Sequence, residues 1–145
     1  MPSVFSRIIA GEIPGRFAYA DDLCVVFATI EPIAPGHMLV VPRQEVDRFV
    51  DADDALLGHL AAVAKRIGLA QQAAFPGTRP VVMIAGFDVP HLHLHVVPLA
   101  DQRGMSFANA RPADDASLEA ACEAVRRALV DLGFGDAVPA ALTHL

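Results

Sequence analysis

The chain contains no tryptophan, one tyrosine and only two cysteines. Cys24 and Cys122 lie far apart and form no C-x-x-C pair, so the pattern of a cysteine-rich zinc module or a disulfide scaffold is absent. No apolar run approaches the roughly 18 residues that a membrane helix needs. Residues 1–7 lack the charged and apolar regions of a secretory signal. We therefore expect reduced thiols, a cytoplasmic location and no membrane partner.

Positive charge is also scarce, with 11 lysines and arginines against 17 aspartates and glutamates and a net charge of −6 at pH 7. Proteins that bind duplex nucleic acid need a basic face, so we expect no such partner. A small anionic ligand held by a few local donors stays open. Apolar residues make up 54% of the 145 residues, which is enough to bury the core of one domain covering residues 1–145.

Hydrophobic periodicity predicts an α+β fold built on an antiparallel sheet. Five short strands are expected, at residues 16–20, 23–28, 37–41, 80–85 and 91–98. Three helices are expected, at residues 3–10, from 51 or 53 to about 74, and from 117 to 133. Ser3 is the predicted N-cap of the first helix, and Ser117 opens the last one. We expect the tail, 136–145, to be loosely ordered or to dock on a partner.

Three of the six histidines occupy alternate positions in one short segment, at His91, His93 and His95. In a β-strand, alternate side chains point to the same face, so the three imidazoles would share one face and Leu92 and Leu94 the other. Imidazole titrates near a pH of about 6.5 and serves as a nucleophile, a general acid or base, or a phosphate or metal ligand. The spacing leaves three interpretations open: a surface strand, a metal site and a catalytic site.

The segment His91-Leu92-His93-Leu94-His95-Val96-Val97 resembles the His-φ-His-φ-His-φ-φ motif of the histidine triad (HIT) family, where φ is apolar. Further segments follow in the family's order, at residues 7–14, 19–22, 30–32, 34–37 and 39–42. The similarity is strongest over residues 3–98, and residues 99–145 carry no clear signal. It implies a HIT-like five-stranded antiparallel sheet, with a long helix inserted after the third strand and a C-terminal helix. It also implies a homodimer.

The resemblance implies a nucleotide hydrolase or transferase that cleaves a bond at the α-phosphorus, in a phosphoramidate or a phosphoanhydride, without a cofactor. The middle histidine, His93, would form a covalent nucleotidyl-histidine that water then hydrolyses. The backbone carbonyl of His91 would hold His93 in place. His95 would bind phosphate oxygens or the leaving group, and His37 would be a fourth histidine near the phosphate. The alternative is a nucleotide-binding regulatory module with weak or no turnover.

The resemblance also implies an apolar pocket for the base of a small nucleotide, expected to be a purine. Its walls would be Val4, Phe5, Ile8, Phe27 and Ile30. Two further positions are assigned to nucleotide binding although they depart from the family pattern. Thr29 stands where many relatives carry a carboxylate that binds both ribose hydroxyls, and one hydroxyl is a weaker acceptor. Asp88 stands in the segment where relatives often carry Gly-Gln-Ser or Gly-Gln-Thr at the phosphate.

A third departure concerns zinc. Some family members bind a structural zinc ion through a C-x-x-C near the N-terminus and a histidine after the third strand. The corresponding positions here are Ser3, Ser6 and Glu45. Structural zinc sites are built from thiolate and imidazole ligands, so the sequence predicts no metal at this place.

Overall fold

A computed structural model describes all 145 residues of the chain. The five strands are β1 (Phe17–Ala20), β2 (Cys24–Ala28), β3 (Met38–Pro42), β4 (Arg79–Ile84) and β5 (Leu94–Leu99). They form one sheet in the order β1-β2-β3-β5-β4, and every neighbouring pair is antiparallel. The predicted α+β architecture, with a long helix between the third and fourth strands, is confirmed.

The three helices are α1 (Val4–Ile9), α2 (Asp54–Ala74) and α3 (Asp115–Leu129). Ser3 caps α1 as predicted, because its hydroxyl accepts the N–H of Ser6. Asp53 caps α2 in the same way. The predicted start of α3 at Ser117 is wrong, because the Asp114 carboxylate accepts the Ser117 N–H and the helix begins two residues earlier. None of the helices combines the length and apolar character needed to cross a membrane.

The sheet separates two apolar clusters. The larger core has 19 buried residues and lies between one face of the sheet and helices α2 and α3, with members such as Val26, Val40, Leu60 and Ile67. The smaller core lies on the other face, under α1, and contains Phe5, Phe17, Val25, Phe27, Leu39 and Val41. Because successive strand residues point to opposite faces, β2 and β3 contribute side chains to both clusters.

The two edges of the sheet differ. At the β1 edge the tail packs on its own chain, since the Phe17 N–H donates to the Leu142 carbonyl (2.7 Å). The buried guanidinium of Arg126 also ties the tail down by donating to the carbonyls of Phe17 (2.6 Å) and Pro139 (2.7 Å). The expectation of a loosely ordered tail is therefore wrong, and docking of the tail on a partner stays a prediction. At the other edge, alternate β4 side chains are exposed, with Val82 at 49%.

Candidate active site

The histidine segment joins the sheet later than predicted. Strand β5 begins at Leu94, so His91 and the two residues after it precede the strand. The physical reason lies at the end of β3, where Pro42 has no N–H to donate and its carbonyl accepts a hydrogen bond from the His91 ring (2.8 Å). The Leu92 N–H donates instead to the carbonyl of Val46 (2.7 Å). The alternation of side chains is nevertheless retained, because Leu92 and Leu94 are both buried in the larger core.

On the opposite side, the rings of His93 and His95 lie 4.8 Å apart. The Nδ1 atom of His93 is 2.7 Å from the carbonyl oxygen of His91. A carbonyl oxygen only accepts, so Nδ1 carries the proton and Nε2 keeps its lone pair. Burial lowers the pKa of His93, and the ring is therefore neutral at pH 7. Phe5 of α1 packs edge-on against this ring, with centroids 4.9 Å apart.

His95 and His37 form a second hydrogen-bonded unit. The Ile33 N–H donates to Nδ1 of His37 (3.0 Å), so His37 carries its proton on Nε2. That proton is donated to Nδ1 of His95 (2.9 Å), which leaves His95 protonated on Nε2. Burial lowers the pKa of His37 to about 3 and that of His95 to about 4. Both rings are neutral at pH 7, and this arrangement makes His95 Nε2 a hydrogen-bond donor.

The loop before β3 sets the position of His37. Gly36 has a φ of +87°, a conformation that favours glycine. A Cβ at this position would meet the ring of Phe75 at 2.2 Å, so the close packing of the loop on the end of α2 also requires glycine. The buried amide of Gln71 donates to the Gly36 carbonyl (2.9 Å) and fixes the loop further. His37 is 3% exposed.

His91 belongs to a polar cluster with Ser3, Ser6 and Glu45. The Ser3 hydroxyl lies 2.6 Å from His91 Nδ1. The Glu45 carboxylate accepts a hydrogen bond from the Ser6 hydroxyl (2.7 Å) and another from the Ser3 N–H. Two of the four groups are hydroxyls, and the imidazole nitrogen and carboxylate oxygen are already engaged by their hydrogen bonds. This set does not fit a zinc site of the thiolate and imidazole kind.

A cavity of about 370 Å³ opens beside the histidines, within the range of about 300–1,000 Å³ that ligand pockets span. His37, His93 and His95 all line it. Its other walls are Phe5, Thr29, Glu31, Leu39, Ala85, Gly86, Phe87, Asp88, Val89, Phe107 and Ala110. The charged groups in this lining are two carboxylates, and no lysine or arginine is among them.

The structure brings some of the predicted nucleotide-binding residues together and not others. Phe5, Thr29 and Asp88 line the cavity with the histidines. Ile8 and Phe27 pack in or against the smaller core, away from this lining. Val4 and Ile30 are 41% and 68% exposed and also lie outside it. His91 is fully buried behind the cavity wall.

Sequence reasoning missed the contribution of the segment after β5. Phe107 packs its ring 4.7 Å from that of His95, and Ala110 lines the cavity beside it. Backbone hydrogen bonds hold this segment against the loop before β3, from Arg111 N–H to the Pro32 carbonyl and from Ala113 N–H to the Ile30 carbonyl (both 3.3 Å). The one aromatic residue of the loop between β5 and α3 was the available signal.

Comparison with known proteins places this geometry in a family. The family model described as the HIT domain matches residues 10–102. An uncharacterized HIT-like protein of Synechococcus elongatus is 40% identical over 101 residues, which are 66% of this chain and 88% of that protein. A HIT-like protein of Methanocaldococcus jannaschii is 35% identical over 99 residues, which are 66% of this chain and 77% of that protein.

Comparison with solved structures leads to the same family. A zinc-bound histidine triad family protein from Mycobacterium smegmatis superposes with a TM-score of 0.79 and 29% identity, over 89% of this chain and 94% of that one. A histidine triad nucleotide-binding protein from Sulfolobus tokodaii gives a TM-score of 0.75 and 27% identity, over 88% and 92%. The chain belongs to the histidine triad (HIT) family, and it has the fold of that family's nucleotide-binding and hydrolase-type proteins.

Proposed function

We propose that this protein cleaves a bond at the α-phosphorus of a nucleotide through a covalent intermediate on His93. The observation that carries the proposal is the hydrogen bond from His93 Nδ1 to the His91 carbonyl (2.7 Å). It leaves the Nε2 lone pair of a neutral imidazole at the wall of the cavity. A neutral imidazole held by one nitrogen is a competent nucleophile at pH 7.

In the first step, His93 Nε2 attacks the α-phosphorus and a phosphorus–nitrogen bond forms. The bond to the leaving group breaks, the leaving group takes the electron pair and is protonated by solvent, and the Nε2–H of the neutral His95 donates a hydrogen bond to it. The hydrogen bond from His37 (2.9 Å) favours this proton position on His95. In the second step, water attacks the phosphorus and releases its proton to solvent. The phosphorus–nitrogen bond then breaks, and a nucleoside monophosphate leaves.

The nucleotide itself occupies the cavity in this proposal. Phe5, Leu39 and Val89 offer an apolar surface for the base, which we predict to be a purine, and Thr29 offers a hydroxyl for the ribose. Glu31 lines the same cavity and is exposed, so its carboxylate is a second acceptor for the ribose hydroxyls. Asp88 is a carboxylate where a phosphate ligand is expected, and it favours substrates of low negative charge.

A second candidate function rests on the same charges. The cavity presents two carboxylates, neutral histidines and no lysine or arginine. This is a poor environment for a polyanion, because the two carboxylates repel negative charge and no cationic side chain offsets them. A regulatory module that binds a nucleotide and turns it over slowly or not at all would tolerate it. The middle histidine argues for catalysis, since binding alone does not need a free imidazole nitrogen.

Trapping the intermediate distinguishes the two candidates. The purified protein is mixed with nucleoside 5′-phosphoramidates and dinucleoside polyphosphates, quenched in base and examined by intact-protein and peptide mass spectrometry. Catalysis predicts an acid-labile nucleotidyl adduct on the peptide with His93, together with release of monophosphate. His93→Asn is the matched control and should give neither. Nucleotide binding with no adduct on the wild-type protein would support the regulatory module instead.

We also propose that the chain forms a homodimer through α2 and β4. An apolar surface covers this side of the molecule, formed by Phe49, Leu57, Ala61, Leu69, Val82 and Ile84. Because β4 is an open sheet edge, its free N–H and C=O groups invite pairing with a second copy. Light scattering at micromolar concentration should give twice the monomer mass, and Val82→Lys should shift the protein towards monomer. A monomeric wild-type protein would contradict the proposal.

A further inference from the structure

One polar cluster is not used by the chemistry proposed above. Ser3 contacts the ring of His91, which is fully buried, and Ser6 and Glu45 form hydrogen bonds with Ser3 and with each other. His91 Nε2 is 2.8 Å from the carbonyl of Pro42, so this nitrogen carries the proton. His91 Nδ1 is then an acceptor, and the Ser3 hydroxyl donates to it (2.6 Å). Both nitrogens of His91 are thus satisfied, and its ring orientation and tautomer are fixed.

This cluster connects α1 to the nucleophile. The carbonyl of His91 accepts the proton of His93 Nδ1, so the position of His91 decides which nitrogen of His93 is free. Helix α1 has six residues, too few to be stable alone. The position of α1 therefore depends on its contacts with the rest of the protein. Ser3 alone contacts Ser6, Glu45 and His91. Phe5, two residues later, packs on the rings of both His91 and His93.

We propose that Ser3, Ser6, Glu45 and His91 form a metal-free clasp that positions the nucleophile of this enzyme, an inference that rests on the function proposed for His93. Ser3, Ser6 and Glu45 are the positions at which the sequence resemblance implies metal ligands in zinc-binding family members. In this protein, hydrogen bonds hold α1 and His91 together. Ser3, Ser6 and Glu45 are positioning residues that act through His91 and do not contact the substrate.

Removal of the Ser3 hydroxyl tests the clasp. In Ser3→Ala the buried Nδ1 of His91 loses its donor, which is costly for a buried polar group. We expect kcat to fall about 10- to 100-fold, the size of loss found when a supporting contact behind a functional histidine is removed, with KM within about threefold. Ser3→Thr keeps a hydroxyl and should restore kcat to within about threefold of wild type. Asp114→Ala is the matched control, because it removes an N-cap from α3 without touching a histidine.

A second measurement needs no substrate and separates the clasp from the proposed function. Nitrogen NMR of histidine-labelled protein reports which ring nitrogen carries the proton. The clasp predicts a single Nδ1–H form of His93 in wild type and Ser3→Thr, and a mixture in Ser3→Ala. If the wild type turns over no nucleotide, the proposed function fails while this readout still tests the clasp. An unchanged His93 signal with kcat within twofold of wild type would overturn the clasp.

Two further outcomes are decisive. If Ser3→Ala does not fold, Glu45→Ala replaces it, because this change removes the acceptor of both serines and leaves the His91 contacts in place. We expect Glu45→Ala to lower kcat about three- to tenfold with a shift of the His91 ring signals, and no change in either would count against the clasp.

Metal analysis of the purified wild-type protein is the last measurement. Stoichiometric zinc, lost together with activity on chelation, would refute a metal-free arrangement.

Discussion

The two faces of the sheet are built from the same strands but have different roles. One face buries 19 residues against α2 and α3, and the other buries six under the short helix α1. The face with the smaller core carries the cavity and the histidines. The thicker apolar layer on the first face stabilises the fold and contains none of the histidines. A thin layer leaves imidazoles at a cavity wall while burying them enough to keep them neutral.

The largest effect is expected from the face with the smaller core. His93→Asn should lower kcat by more than about 10⁴-fold, because it removes the proposed nucleophile and the covalent route with it. The melting temperature should change by only a few degrees, since His93 makes one hydrogen bond to the protein. Steady-state kinetics and thermal unfolding of the same preparation check both statements. Activity within tenfold of wild type would remove His93 from the role of nucleophile.

The larger core should show the reverse pattern. Ile67 is fully buried in it, and Ile67→Ala should destabilise the protein by about 2–5 kcal/mol through lost burial and a residual cavity. The value of kcat, measured well below the melting temperature, should stay within about threefold of wild type. Urea unfolding gives the first quantity. A loss of kcat above tenfold in the folded variant would show that the two faces are not separable.

Substitution of His37 tests how much the hydrogen bond from His37 to His95 contributes to catalysis. His37→Phe removes the donor to His95 Nδ1, and we expect kcat to fall about 10²-fold, because His95 then loses the contact that keeps its own proton on Nε2. His37→Gln retains an N–H donor and should lose about tenfold or less. Equal losses in the two variants would argue that His37 acts by bulk alone or contacts the phosphate directly.

The buried histidines also predict a dependence of stability on pH. Their pKa values in the folded protein, about 3 for His37 and about 4 for His95, lie below the unfolded value of about 6.5. Between these values the unfolded chain binds protons that the folded protein does not. The contribution of these histidines to the free energy of unfolding should therefore be fully present above about pH 6.5. The free energy of unfolding should fall as the pH drops towards 4. Urea titrations across this range measure the slope, and His37→Phe should make it shallower.

The smallest effect concerns the ribose. Thr29 lines the cavity, and its hydroxyl already accepts the N–H of Glu31 (3.3 Å). We expect ribo- and 2′-deoxyribonucleotide substrates to differ by less than about tenfold in kcat/KM, under about 1.4 kcal/mol. Thr29→Asp should increase the preference for ribose, and Glu31→Gln tests the neighbouring carboxylate. A strong ribose preference in the wild type that neither substitution alters would exclude both residues from ribose binding.

Local sequence patterns predicted the elements that depend on nearest neighbours. The Ser3 and Asp53 caps were predictable because an N-cap side chain bonds to a backbone N–H only three residues ahead. The position of Ser117 was misread because Asp114 offers a stronger acceptor at the same range. The late start of β5 could not be predicted, because it depends on Pro42 and Val46, which are distant in sequence.

The sequence by itself determined the class of fold and the family, because periodicity and a contiguous motif are local properties, and it pointed to the histidine that we propose as the nucleophile. Only the tertiary structure decided which nitrogen of His91 and of His95 carries a proton. That choice is made by Ser3, Pro42 and His37, which lie in separate parts of the chain. Tertiary structure likewise brought Phe107 to the cavity and folded the tail onto β1. Long-range contacts of this kind leave no periodic trace in a sequence, since their partners meet only when the sheet has formed.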